Sequence, residues 1–200
     1  MNLKAEFGNI DIYLFDQLLK GRFEHCQRIL EVGCGTGRNL TYFLKRDFEV
    51  HGVDKNPEAI RGVQKLAQQL NASNDGQNFV VAAIENLPYE AAFFDAIICN
   101  AVLHFAKDAN HFDQMLNAIW RVLKPQGQLF IRLASDIGIE DLVQPLGNGR
   151  FLLPDGSVRF LVNEALLLDY TQQLGAKLTE YIKTTNVQGL RCMTTWCLQK

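Results

Sequence analysis

The chain has no Cys-x-x-Cys pair, no long apolar run and almost no net charge, and each absence removes a class of protein. Its five cysteines, Cys26, Cys34, Cys99, Cys192 and Cys197, are scattered and odd in number. That pattern argues against a disulfide framework or a zinc site and for small buried side chains in a reducing cytoplasm. The most apolar stretch, Phe79 to Ile84, falls far short of the ~20 residues that a membrane helix needs. Met1 to Phe15 mixes Lys4, Glu6 and Asp11 with apolar residues, so no signal peptide is expected. Twenty basic and 22 acidic side chains leave a net charge of −2, too little for a general field that grips nucleic acid. What remains is a 200-residue chain, 48% hydrophobic, able to bury roughly 70% of its unfolded surface without metal or partner.

From residue 28 onward, short apolar runs alternate with amphipathic segments, the pattern of βαβ units. Strands are expected at Arg28 to Val32, Val50 to Val53, Phe79 to Ile84, Phe94 to Cys99 and Gln128 to Ala134. The third and fourth read as buried on both faces. Helices are expected over Gly37 to Arg46, after the cap Asn56-Pro57, after Asp108 and after Asn163. Two last strands, Lys177 to Asn186 and Arg191 to Gln199, should pair antiparallel. The fold class is therefore α/β: a doubly wound, seven-stranded, mostly parallel sheet with an antiparallel last strand.

Two segments lie outside this repeat. Residues 1–27 carry Ile12, Phe15, Leu18 and Leu19 at helical spacing and read as an amphipathic appendage on a domain spanning 28–200. Residues 136–162, rich in Gly and Pro, read as an irregular excursion, a lid in preference to a decoration of the surface.

The most informative run is Ile29-Leu30-Glu31-Val32-Gly33-Cys34-Gly35-Thr36-Gly37, a strand passing into a loop with glycine at alternate positions and then a helix. Such a loop lets backbone approach a ligand closely. A dinucleotide fingerprint would need a third glycine where Arg38 stands, and the Gly-Lys-Ser/Thr ending of a P-loop is absent. Asp54, closing the second strand, reads alone equally as a carboxylate favoured at the start of the following helix; beside the glycine loop it is placed to accept both hydroxyls of a ribose.

With Val53-Asp54, Glu85-Asn86-Leu87-Pro88-Tyr89, Phe94-Asp95 and Val122-Leu123-Lys124-Pro125-Gln126-Gly127 in register behind that loop, the chain resembles the class I S-adenosylmethionine-dependent methyltransferases, closely over residues 28–135. The resemblance implies a Rossmann-like methyltransferase fold and S-adenosyl-L-methionine as cofactor. It places Glu31, Gly33 and Gly35 around the methionine part, Asp54 on the ribose, Lys55, Ile84 and Glu85 beside the adenine, and Cys99 and Asn100 at the amino-acid end. Ala83 stands where many members carry Asp, so a side-chain acceptor for the adenine amine is missing. Gly37-Arg38-Asn39 is similar to tellurite-resistance and thiopurine-type branches, with Arg38 suited to the cofactor carboxylate.

A methyl acceptor that must lose a proton would call for a base, and His104 is the candidate, against a bland reading as a packed histidine. His111 reads as solvated, and His25 and His51 have no motif partner. Tyr13, Phe15, Phe23, Phe151 and Phe160 either wall an apolar acceptor pocket or form ordinary core. The expected acceptor is a small molecule, with no nucleic acid, membrane or metal involved, and the chain a monomer or homodimer. The rivals are a nicotinamide-dependent oxidoreductase, disfavoured by Arg38 and by the lack of a Tyr-x-x-x-Lys pair, and a non-catalytic cofactor-binding module.

Overall fold

The computed structural model describes residues 2–71 and 76–200; Met1, the first residue of the N-terminal segment, lies outside them. In chain order, α1 (Leu3–Phe7) and α2 (Ile12–Leu19) precede β1 (Arg28–Val32), α3 (Thr41–Leu44), β2 (Glu49–Asp54), α4 (Pro57–Leu70), β3 (Phe79–Val81) and β4 (Phe94–Asn100). Then come α5 (Ala109–Val122), β5 (Leu123–Ser135), β6 (Gln144–Gly147), β7 (Arg150–Leu152), β8 (Val158–Phe160) and α6 (Glu164–Gln173). The chain ends in β9 (Lys177–Leu178), β10 (Lys183–Val187) and β11 (Arg191–Gln199).

The main sheet runs β3-β2-β1-β4-β5-β11-β10, with the two-residue β9 added beside β11. The strands from β3 to β5 are mutually parallel, and β11 is antiparallel to both of its neighbours, as expected. Alternation along the central strands divides the core in two. Leu30, Val32, Ile97, Cys99, Ile131 and Trp196 face α5 and α6. Ile29, Val50, Ala96, Ile98 and Phe130 face α2, α3 and α4. Helices on both faces make these strands near-continuous apolar runs. α4 begins where Asn56 accepts from Glu58 N at 3.0 Å, with Pro57 in its first turn.

Several boundaries differ from the sequence reading, each for an identifiable reason. Phe79 to Ile84 is strand only to Val81 and lies at the sheet edge, leaving Val81 53% exposed; Ile84–Asn86 instead form a 3₁₀ turn. The helix expected over Gly37 to Arg46 shrinks to the four residues of α3. Tight turns bonded from Gly37 N to Cys34 O and from Leu40 N to Gly37 O occupy the chain before it. Residues 136–162 are not irregular, because β6, β7 and β8 form a three-stranded antiparallel sheet. The strand expected over Lys177 to Asn186 is broken between Leu178 and Lys183.

The face of the N-terminal helix is also reassigned. Leu14 is fully buried, whereas Ile12 and Leu19 are 66% and 72% exposed. Asp11 decides this: it caps α2 through Tyr13 N at 2.9 Å while its own N–H donates to the buried Asn39 Oδ1 at 3.0 Å. Polar anchoring at the cap thus sets the helix rotation, overriding the apolar count. Leu14→Ala should cost about 2–5 kcal/mol in urea unfolding, and Ile12→Ala or Leu19→Ala no more than ~0.5 kcal/mol; comparable losses at all three positions would restore the original face.

Candidate active site

β1 sends its chain to β2 and β3 on one side, while β4 and β5 lie on the other, so the connections diverge past the carboxyl ends of β1 and β4. A crevice opens at such a reversal of strand order. Here it is a cleft of about 410 Å³ lined by Gly33, Asp54, Lys55, Ile84, Glu85 and Asn100, with Ala82, Ala83, Ala101 and Val102 and with Phe105, Lys107, His111 and Met115. Six of the residues expected at the cofactor thus share one wall.

The glycine loop is built by close approach. Gly33 has φ of 67°, and a Cβ there would lie 2.4 Å from Val102 Cγ2. Only glycine fits both demands. Gly35 also has positive φ, but a Cβ there would meet open space. Asp54 ties the loop to β2: Oδ2 accepts from Gly35 N and Oδ1 from Asn56 N, both at 2.9 Å. Each oxygen keeps acceptor capacity for a further donor.

Glu31 and Asn100 stand apart by their burial. Glu31 is 2% exposed; Oε1 accepts from Asn39 Nδ2 at 2.6 Å, and Oε2 has no partner. Burial raises its pKa to about 8. Both side-chain atoms of Asn100 are buried without a partner as well. An unpaired buried polar atom costs about 1–3 kcal/mol, so three at adjoining strand ends mark a place prepared for a ligand.

The remaining expected residues are distributed differently. Cys99 is fully buried, and burial pushes its thiol upward. The other four thiols are also free and raised chiefly by burial, which makes them unreactive. Arg38 is half exposed, with Nη2 3.9 Å from Asp11 Oδ2. His111 is not solvated: Nδ1 accepts from Lys107 N at 3.1 Å, and Nε2, buried, lies 3.5 Å from Glu85 Oε1.

His104 lines a second cavity, of about 310 Å³, which shares Ala101 with the first. Its Nδ1 accepts from Ala134 N at 3.1 Å, so the neutral ring carries its proton on Nε2. Burial and the nearby Arg159 hold its pKa down to about 4. At neutral pH the ring is a hydrogen-bond donor without a free basic nitrogen. Arg132, Arg159 and Arg191 line the same cavity with Asp155 and Ser157. The sequence reading did not single out these arginines, because they lie far apart in the chain and match no local motif.

None of Tyr13, Phe15, Phe23, Phe151 and Phe160 lines either cavity. Phe23 and Phe160 are core, the latter stacked 5.0 Å from Phe112, and Phe15 packs edge-on to Phe7. Of the two readings open for these rings, ordinary packing is the one observed. No cluster of potential metal ligands occurs among the described residues, and no helix among them is long and apolar enough to cross a membrane.

Comparison with known proteins bears on the family and the fold. A phthiotriol/phenolphthiotriol dimycocerosates methyltransferase of Mycobacterium leprae is 35% identical over 105 residues, 52% of this chain and 36% of that protein. A ubiquinone biosynthesis O-methyltransferase of Bartonella tribocorum is 30% identical over 153 residues, 70% of this chain and 60% of that one. The chain therefore spans less than two thirds of either relative. A crystal structure of a SAM-dependent methyltransferase from Methanosarcina mazei superposes with a TM-score of 0.73 at 21% identity, covering 92% of this chain and 96% of that one, which shows a common fold. The family model described as a methyltransferase domain matches residues 30–131, from the middle of β1 to the middle of β5, and the chain belongs to that methyltransferase family.

Proposed function

We propose that this protein transfers the methyl group of S-adenosyl-L-methionine to a small-molecule acceptor in the cytoplasm. The observation that carries this reading is the cleft past β1, β2 and β4, lined by Gly33, Asp54 and the unpaired Asn100, with the buried Glu31, one oxygen unpaired, on the adjoining strand β1, in a methyltransferase-family domain. When bound, the cofactor would supply an electrophilic methyl carbon on a sulfonium, open to in-line attack by an acceptor lone pair, with the C–S bonding pair leaving on sulfur as a neutral thioether.

The residues present fit such a ligand. Glu31 Oε2 is an acceptor for the α-ammonium, and Asn100 offers both a donor and an acceptor to the amino-acid end. Gly33 and Gly35 keep the backbone open to the methionine part, and Cys99, its thiol buried, contributes through the main chain. Asp54 takes the ribose hydroxyls with the lone pairs left over from Gly35 and Asn56. Lys55, Ile84 and Glu85 border the adenine, where Ala83 offers only backbone. Arg38, loosely held by Asp11, remains available to the cofactor carboxylate.

On the acceptor side, residues 136–162 contribute Leu153, Asp155, Ser157 and Arg159 to the second cavity and so act as its wall and lid. Residues 1–27 act through Asp11, which holds Arg132 Nη1 at 3.2 Å. His104 takes the role of donor toward the acceptor, replacing the role of base that its position in the sequence suggested. Acceptors already ionised, such as thiolates, need no base.

Two outcomes are expected. Asp54→Ala weakens S-adenosylhomocysteine binding at least ~tenfold, the worth of a hydrogen-bonded charge; unchanged affinity in calorimetry refutes the ribose role. Glu31 gives a pH signature whose sign follows from linkage. The free protein holds its proton up to about pH 8, and a cation bound beside it favours the carboxylate, so binding at pH 6.5 releases a proton. Affinity then falls as pH drops below 8, by at most ~tenfold per unit. Calorimetry in phosphate and Tris buffers counts the protons; a release that persists in Glu31→Gln assigns it elsewhere.

A further inference from the structure

We infer that the methyl acceptor is an anionic small molecule, a carboxylate or similar oxyanion, gripped by Arg159 with Arg132 and Arg191 in the cavity beside the cofactor cleft. This deepens the methyl-transfer reading and rests on it. At about 310 Å³ the cavity suits a small molecule. Its polar lining is dominated by three guanidinium groups, so the question is which of them are already satisfied within the protein.

Asp155, the carboxylate in the lining, is committed to its own turn. Its Oδ1 accepts from Ser157 Oγ at 2.6 Å and Ser157 N at 2.9 Å, bonds that with the charges of Arg191 and Arg159 hold its pKa below the usual carboxylate range, and Arg191 Nη1 stands 3.9 Å from Oδ2. Arg132 is partly answered by Asp11 at 3.2 Å, a carboxylate that it shares with Arg38, while its Nε is buried without a partner. Arg159 is the open one. Among the described residues no carboxylate lies within ion-pair distance of it. Nη1 donates to the neighbouring Val158 carbonyl at 2.8 Å, and the guanidinium stacks 4.8 Å over Phe105.

This cation–π contact holds the guanidinium against the Phe105 ring, and its N–H groups other than the one on Val158 are left for a ligand, donors suited to an oxyanion. Phe105 itself lines the cofactor cleft, and Ala101 lines both cavities. The cationic group is therefore carried on the wall between cofactor and acceptor. His104 contributes a neutral Nε2–H donor, which suits an oxyanion as well. A neutral acceptor would displace water from Arg159 and return no charge, a penalty that an anion avoids.

The test uses the full chain saturated with S-adenosylhomocysteine and a fragment set of small carboxylic acids, each paired with its primary amide, with phenylphosphonate as a second oxyanion. Ligand-observed NMR titration should show acids binding at least ~tenfold more tightly than their amides. That preference should collapse in Arg159→Gln while affinity for S-adenosylhomocysteine stays within about twofold. Arg191→Gln, at a half-exposed and loosely paired position, should lower the preference too and serves if Arg159→Gln folds poorly. Tighter binding of phenylphosphonate than of the acids supports the oxyanion site and identifies phosphate-type acceptors. Acids and amides binding alike, no binding by any anion, or an acid preference unchanged in both variants overturns the inference. Loss of S-adenosylhomocysteine binding by the parent protein is a separate result that sinks the methyl-transfer reading instead.

Discussion

β1 lies between two parallel partners whose connections run in opposite directions, and most of what is distinctive in this molecule follows from that constraint. Because β1 is paired along its length with β2 and β4, its chain must leave in the narrow space past Val32, directly against the chain leaving β4. The two exits press on each other. Gly33 has no room for a side chain because Val102 is there, and Ala101 adopts φ of 62° although it carries a Cβ. Such a conformation costs on the order of 1 kcal/mol and survives where its surroundings enforce it; here Ala101 N is bound to Arg132 O at 2.7 Å. The strained residue is the one shared by both cavities, so the crossing that creates the cleft also fixes the partition between them.

A buried polar network carries the same constraint outward to the N-terminus. Asn39 donates to Glu31 and accepts from Asp11 N, while the Asp11 carboxylate caps α2 and holds Arg132. Asp11 is 7% exposed and Asn39 2%, so these bonds operate with little competition from water. The N-terminal segment is therefore docked by hydrogen bonds to Asn39, which in turn holds Glu31 of β1, and to Arg132 of β5, as well as by the apolar contacts of Leu14. This explains why its buried face departs from the one that apolar spacing alone indicates, and the network runs from Glu31 on β1 at one end to Arg132, in the lining of the second cavity, at the other.

Local signals made the cofactor side readable. Gly33, Asp54, Asn100 and the caps Asn56 and Asp108 lie at the ends of regular elements, where a turn or cap restricts the choice of residue and the order of elements restricts the topology. The strand Phe79 to Ile84 was misjudged because an apolar run reports burial without saying whether the strand is central or at the edge. The second cavity is opaque to sequence for a different reason. Arg132 lies on β5, Arg159 on β8 and Arg191 on β11, and only the pairing of β11 with β5 and the folding back of β6 to β8 gather them. His104 sat at a position that sequence marks well, but its chemistry is set by the backbone N–H of Ala134, thirty residues away.

Net charge is similarly silent about local fields. A formal total of −2 over 42 acidic and basic side chains is a sum over the whole chain and is compatible with a cavity in which guanidinium groups outnumber carboxylates. Elsewhere charge is balanced locally: Asp16 and Glu180 are held by Lys20 and Lys183, and Glu49 by Arg28, none of which lines either cavity. The protein thus separates charge within a near-neutral whole. Unpaired acceptor atoms of Glu31 and Asn100 collect behind the glycine loop, and guanidinium groups collect beyond Ala101. On the proposed reading, one side is matched to a cationic cofactor and the other to an anionic acceptor. Opposite charges drawn to adjoining sites bring their reacting atoms together without a general field around the molecule, which is how a nearly neutral chain can still select its substrate by charge.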